Sequence, residues 1–168
     1  MEQTSAELWK QRSVAISATV KEVASVDEAL QYALELCQSA EPHEQLMGPE
    51  PEGRGKVLAA PGLRSEQAEA LRKGCEERGL TFVEKGLRDY AGGMEVGVAW
   101  AACGFADTGT CVVESTDEDV RLATMLPETS VLLIRRSTIL PGNEYGAETL
   151  RTFFAKAEPE FLAFISGP

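Results

Sequence analysis

The chain has 168 residues, 43% hydrophobic and 26% charged, enough to bury one substantial core, and its formal charge is -11. That charge argues against nucleic acid as a partner, because such binding needs Lys and Arg to neutralise phosphates, and no basic cluster is visible beyond pairs such as Arg135-Arg136. No apolar run approaches the roughly 20 residues that span a bilayer, and the acidic, polar start is unlike a signal peptide, so a cytoplasmic protein without a membrane span is expected.

Residues 1–13 read as a short polar helix or arm ahead of a single domain over residues 14–168. Val14, Ile16, Ala18 and Val20 alternate with polar residues, the two-residue period of a half-buried strand. Ser25 and Glu28 make a capping box ahead of Val26, Ala29, Leu30, Ala33, Leu34 and Cys37, which recur at helical spacing. Residues 41–55 hold three prolines and three glycines and read as a loop. Residues 56–60 form a short apolar strand before Pro61-Gly62. Ser65 then caps a helix whose inner face is Ala68, Leu71 and Cys75 and which Gly79 ends. Residues 80–83 give the next strand, and this strand, helix, strand succession predicts parallel pairing with right-handed crossovers. Residues 84–94 read as a polar loop ending in a Gly92-Gly93 turn or hinge.

Residues 96–102 are apolar nearly throughout, as a strand covered on both faces would be, and residues 111–113 form a second run. Thr116 and the acids Asp117, Glu118 and Asp119 announce a helix that stops before Pro127. A strand at residues 131–134 follows, then Pro141-Gly142 and a helix with Leu150, Phe153 and Phe154 on its inner side, and a closing strand at residues 161–165. The expected fold is α/β, a mainly parallel sheet of about six or seven strands between helices.

The chemistry concentrates between the two central runs, where Asp107, Thr108, Gly109 and Thr110 put an acid, two hydroxyls and a glycine at one sharp connection. If residues 96–102 are a parallel strand, this turn lies beyond its carboxyl end, where open α/β sheets bind ligands. Such a turn directs N–H groups and side-chain oxygens at an anionic or polyhydroxylated ligand, although Asp and Thr also close turns without any ligand. Asp107 or Glu114 is the candidate general base, with solvation at a strand end the plain alternative for Glu114. Arg121 and Arg136 are the candidate carboxylate holders, and Arg121 has the alternative of pairing with an acid along its own helix. Neither GxGxxG nor a phosphate loop ending in GK[ST] is present. Cys37, Cys75, Cys103 and Cys111 contain no CxxC, and His43 is the single histidine, so no metal, iron–sulfur or flavin cofactor is expected in this chain. Reduced, buried thiols are the favoured reading, since a nucleophilic cysteine would need a base and His43 is distant in sequence.

The run Ala106-Asp107-Thr108-Gly109-Thr110, with Val112-Val113-Glu114-Ser115, Arg121-Leu122, Met125-Leu126-Pro127, Arg136-Ser137, Leu140-Pro141 and Phe164-Ile165-Ser166-Gly167-Pro168, resembles the LUD domain family of lactate utilization protein C type over about residues 14–168. The resemblance implies a fold similar to the CoA transferase, ribose-5-phosphate isomerase and glucosamine-6-phosphate deaminase group. It implies a part in oxidising L-lactate to pyruvate beside separate iron–sulfur subunits, which would carry the clusters. It also brings Ser166 and Gly167 towards the Asp107 turn, so that Asp107, Thr108, Gly109, Thr110 and Ser166 are expected on one surface, with Glu114 or Arg121 at its margin. The family pattern usually continues past Ser-Gly-Pro with a polar segment, whereas this sequence stops at Pro168, which leaves either a shortened chain or an incomplete site. Two alternatives stand beside an accessory subunit: a stand-alone enzyme of sugar-phosphate isomerase or CoA transferase type with a carboxylate base, and a regulatory or scaffold protein without catalysis.

Overall fold

The computed structural model describes residues 3–42, 55–154 and 161–167, with the side chains of residues 143, 145, 149, 150, 153 and 154 left aside. The chain divides into two compact units, one of Val23–Ala99 and Asp117–Leu133, the other of Met1–Glu22, Trp100–Thr116 and Ile134–Pro168. The loop at His43 and the inner face assigned to Leu150, Phe153 and Phe154 lie outside the described residues and side chains.

The first of these units is built on a sheet of order β2-β1-β3-β6. β1 (Val57–Ala59) pairs in parallel with β2 (Thr81–Val83) through Val57↔Thr81 and with β3 (Met94–Trp100) through Leu58↔Val96. β6 (Pro127–Leu133) adjoins β3. The parallel pairing expected from the strand, helix, strand succession is present. α2 (Val26–Ser39) starts where the capping box predicts: the Glu28 N–H donates to Ser25 Oγ at 3.2 Å, and Leu30, Ala33, Leu34 and Cys37 are buried. α3 (Ser65–Glu77) buries Ala68, Leu71 and Cys75, but its cap is Arg64, whose N–H donates to Gln67 Oε1, and Ser65 is already helical. Gly79, at φ +66, ends it as expected.

Residues 84–94 are more than a polar loop. A 3-10 turn, Leu87–Tyr90, buries Leu87 completely, and the Asp119 carboxylate accepts the N–H groups of Gly86 and Leu87 at 3.1 and 2.8 Å. Asp119 stands on α4 (Glu118–Met125), which is capped by Asp117 and not by Thr116. Val57, Ala59, Val83, Leu87, Met94 and Ala123 form the core on this side of the sheet. β3 is buried almost throughout, as its apolar sequence predicts, yet it carries Glu95, 1% exposed, which accepts the Val57 N–H at 2.5 Å.

The other unit has a sheet of order β7-β4-β5-β8. β4 (Cys103–Phe105) and β5 (Thr110–Glu114) are an antiparallel hairpin in the register Cys103↔Val112 and Phe105↔Thr110. β8 (Leu162–Ile165) runs antiparallel to β5, with Cys111↔Ile165, and β7 (Ile139–Leu140) lies parallel to β4. The α/β class therefore holds, with a parallel sheet set between helices. The expectation of six or seven strands in one sheet gives way, among the described residues, to eight strands in two, because β4 and β7 are too short to show a period of their own.

Residues 14–20 are not a strand. α1 covers Ser5–Ala15, opened by a capping box in which Thr4 Oγ1 accepts the Glu7 N–H and Glu7 returns a carboxylate oxygen to the Thr4 N–H. It closes with Ala18 N–H donating to Ser13 O and Ser17 N–H to Val14 O, around a left-handed Ser17 at φ +69. The alternation misleads because Val14, 55% exposed, lies on the outer face of the last helical turn. α5 (Asn143–Phe154) also belongs to this unit.

Candidate functional site

The connection at Asp107 is a hairpin turn. The Gly109 N–H donates to Phe105 O at 2.9 Å, and Gly109 takes φ +70. This corrects the expectation of a turn at the carboxyl end of a parallel strand: residues 96–102 do not run into the turn, since β3 stops at Trp100 and β4, paired antiparallel with β5, intervenes.

β8 brings a remote segment to the same place. The antiparallel register Cys111↔Ile165 sets the residues just beyond, Thr110 and Ser166, side by side. Thr110 Oγ1 lies 2.6 Å from Ser166 Oγ and 2.7 Å from Thr108 Oγ1, so three hydroxyls from two segments make one continuous row. Thr110, at 6% exposure, is its buried middle; Thr108 and Ser166 are exposed.

The backbone under this row is held from α1. Trp9 Nε1 donates to Thr110 O at 3.1 Å and Ser13 Oγ to Gly109 O at 3.2 Å, both buried. Trp9 and Ser13 are four residues apart and share one helix face, so two successive carbonyls of the hairpin are satisfied by a single helix. A Cβ at Gly109 would stand 2.7 Å from the Ser13 backbone N, and one at Gly167, φ +79, 3.0 Å from Ile16 O. The last turn of α1 thus fits against both glycines of the site. The sequence reading of residues 1–13 as a short polar helix or arm ahead of the domain leaves Trp9 and Ser13 out of the site, although their spacing is visible.

The carboxylate of Asp107 is turned towards Gly142, the residue before α5: a Cβ built there would be 2.8 Å from Asp107 Oδ2. A negative charge at a helix N-terminus is favoured by the helix dipole, which gives Asp107 a structural task. Glu114 does not join the row. It ends β5 opposite Leu162, four residues from Thr110 and so about 13 Å along the strand. Arg121 stands on α4 in the other unit, where its N–H donates to Asp117 O. Arg136 lies 3.7 Å from Glu22.

All four cysteines are buried and free. Burial pushes the Cys111 thiol up to about 12, with Cys103 adding to it, and burial also raises Cys103. Cys37 is raised to about 12, by burial and then by the Glu95 charge, and Cys75 to about 11 by burial. None of these is an activated nucleophile. Among the described residues no group of three His, Cys, Asp or Glu side chains is placed to hold a metal, and no helix is long and apolar enough to cross a membrane.

Compared with known proteins, residues 6–168 match the family model described as LUD domain. The chain belongs to the LUD domain family. Its LUD match begins at the second residue of α1, which agrees with the contacts of Trp9 and Ser13 in making that helix integral. The chain is 38% identical over 76 residues to the protein YkgG of Escherichia coli K12, covering 44% of this chain and 33% of that protein. It is 34% identical over 73 residues to lactate utilization protein C of Anoxybacillus flavithermus, covering 44% and 32%. With lactate utilization protein C of a Geobacillus species it shares 32% over 82 residues, covering 48% and 34%. The matched stretch spans about a third of these relatives' own length. A crystal structure of a DUF162 family protein from Deinococcus radiodurans is similar in fold, with a TM-score of 0.61 at 13% identity over 97% of this chain and 90% of that one.

Proposed function

We propose that this LUD domain chain serves lactate utilization as an accessory subunit, holding a small carboxylate at the Thr108, Thr110 and Ser166 row while separate iron–sulfur subunits carry the electrons from lactate to pyruvate. The observation that supports the reading best is the row itself, because it joins the hairpin to a segment more than fifty residues away and leaves two of its three hydroxyls exposed. The names of the relatives supply the pathway. Kinship with the CoA transferase and sugar-phosphate isomerase group belongs to the same proposal.

A stand-alone enzyme with a carboxylate base has less behind it. Asp107 faces Gly142 and Glu114 is at the far end of β5, so neither acid shares the place of the row. The test is to purify the chain with its neighbouring gene products and to measure lactate oxidation with and without it. Loss of lactate oxidation on removing the chain, and on converting Thr108 and Ser166 to Ala, is expected; full activity in the absence of the chain defeats the proposal.

A further inference from the structure

Hydrogen counting along the row constrains what it can bind. Three hydroxyls carry three hydrogens, and the two contacts of 2.7 and 2.6 Å each consume one, which leaves a single hydrogen for anything outside. If both exposed ends donated outwards, Thr110 could bridge only one of its neighbours, and the other pair of oxygens would face each other at hydrogen-bond distance without a proton. If both ends donated inwards, the remaining hydrogen would sit on Thr110, the member withdrawn from solvent, where leaving a donor unmet is costly. The economical arrangement runs one way, with Thr108 or Ser166 offering an outward O–H and the other end offering lone pairs.

We infer that Thr110 makes this row a paired donor and acceptor, selective for a ligand that carries a hydroxyl beside a carboxylate over the same ligand oxidised to a ketone. The inference rests on the reading above that the row is the ligand site. A 2-hydroxy acid supplies a carboxylate oxygen to the donor end and a hydroxyl hydrogen to the acceptor end. A 2-oxo acid has no hydrogen to give, so one end of the row is left facing an oxygen, and sites built to bond a hydroxyl discriminate strongly against analogues that lack the complementary group. The row is positioned from below, since Trp9 holds the Thr110 carbonyl and the β5–β8 ladder ends at Cys111↔Ile165, next to Thr110 and Ser166. Thr110 is therefore a specificity-determining residue through its neighbours, and the chain would retain the reduced acid while releasing the oxidised one.

The experiment is titration of the full chain with L-lactate and with pyruvate, read by ligand-observed NMR, for the parent protein, Thr110→Val and Thr110→Ser. L-Lactate is expected to bind at least about tenfold more tightly than pyruvate, with Thr110→Val bringing the two affinities together and Thr110→Ser keeping the preference. Equal affinity of the parent protein for both acids, or a preference that survives in a folded Thr110→Val, overturns the inference and leaves the carboxylate site standing. Binding of neither acid to the parent protein overturns the site reading, and the inference with it. Should Thr110→Val fail to fold, the ratio in the parent protein and in Thr110→Ser still decides the matter.

Discussion

At the scale of single residues, the left-handed positions Ser17 and Gly109 answer to opposite substitutions. Ser17 adopts φ +69 with a Cβ it would be better without, so Ser17→Gly should stabilise the chain by about 0.5 kcal/mol after the extra freedom of the unfolded glycine is set against the relief. Urea unfolding with an unchanged m-value is the measurement, and a lower midpoint would refute it. Gly109 combines φ +70 with a Cβ position 2.7 Å from the Ser13 backbone, which is not the yielding end of a side chain. Gly109→Val should therefore cost about 3 kcal/mol and abolish the site with it. Gly142 differs, because its missing Cβ faces only the movable carboxylate of Asp107 and its φ is not left-handed. Gly142→Ala should leave stability within about 1 kcal/mol while displacing Asp107, which the chemical shift of a selectively labelled aspartate can report. These three outcomes separate backbone strain, backbone collision and side-chain displacement.

Among the elements, α1 carries the most consequence for its length. Its sequence is too polar to be placed by hydrophobic burial alone, and what docks it is the pair of buried donors, Trp9 Nε1 and Ser13 Oγ. Trp9→Phe keeps most of the apolar surface but leaves the Thr110 carbonyl without this partner, so a loss of about 1–2 kcal/mol is expected from thermal or urea unfolding. A loss under a few tenths would mean that water replaces the indole and that α1 does not hold the row. In the other unit Asp119 has a comparable task, since two N–H groups of the Leu87 turn converge on its carboxylate. Residues of this kind have no period: Trp9 and Ser13 look like any spaced pair, and Asp119 looks like one more acid in a helical first turn until the N–H groups that donate to it are seen. The hairpin shows the same limit. The glycine between two threonines was readable as a tight turn, but whether the strands beside it ran parallel or antiparallel depends on partners elsewhere in the chain.

For the whole molecule, the thiols give a pH dependence of definite sign. A free thiol ionises near about 8.5. Burial raises Cys37 and Cys111 to about 12 and Cys75 to about 11 in the folded chain. The folded state then holds protons that the unfolded state has released, so stability is complete below about pH 8.5 and declines as pH rises towards 11 and 12. Melting temperature should fall across that window, and substitution of Cys37 and Cys111 by Ala should flatten the fall, whatever it does to stability at neutral pH. Labelling of the native chain by a thiol-specific reagent at pH 8 should be slow for all four cysteines, and rapid stoichiometric labelling would show one of them to be accessible.

What the sequence determined by itself was whatever depends on neighbours along the chain. The helices at Val26–Ser39 and Ser65–Glu77 follow from apolar spacing and end signals, the parallel pairing of β1 and β2 from the helix between them, and the Thr108, Gly109 and Thr110 turn from the conformation only glycine adopts cheaply. The family pattern was also legible, because it is carried by residue types in order. Only the tertiary structure decided that the described strands form two sheets and that Ser166 meets Thr110 while Glu114 does not. Those outcomes depend on register between segments more than fifty residues apart, and register is set by how buried faces and unmet N–H and C=O groups are satisfied together, which no single stretch of sequence encodes.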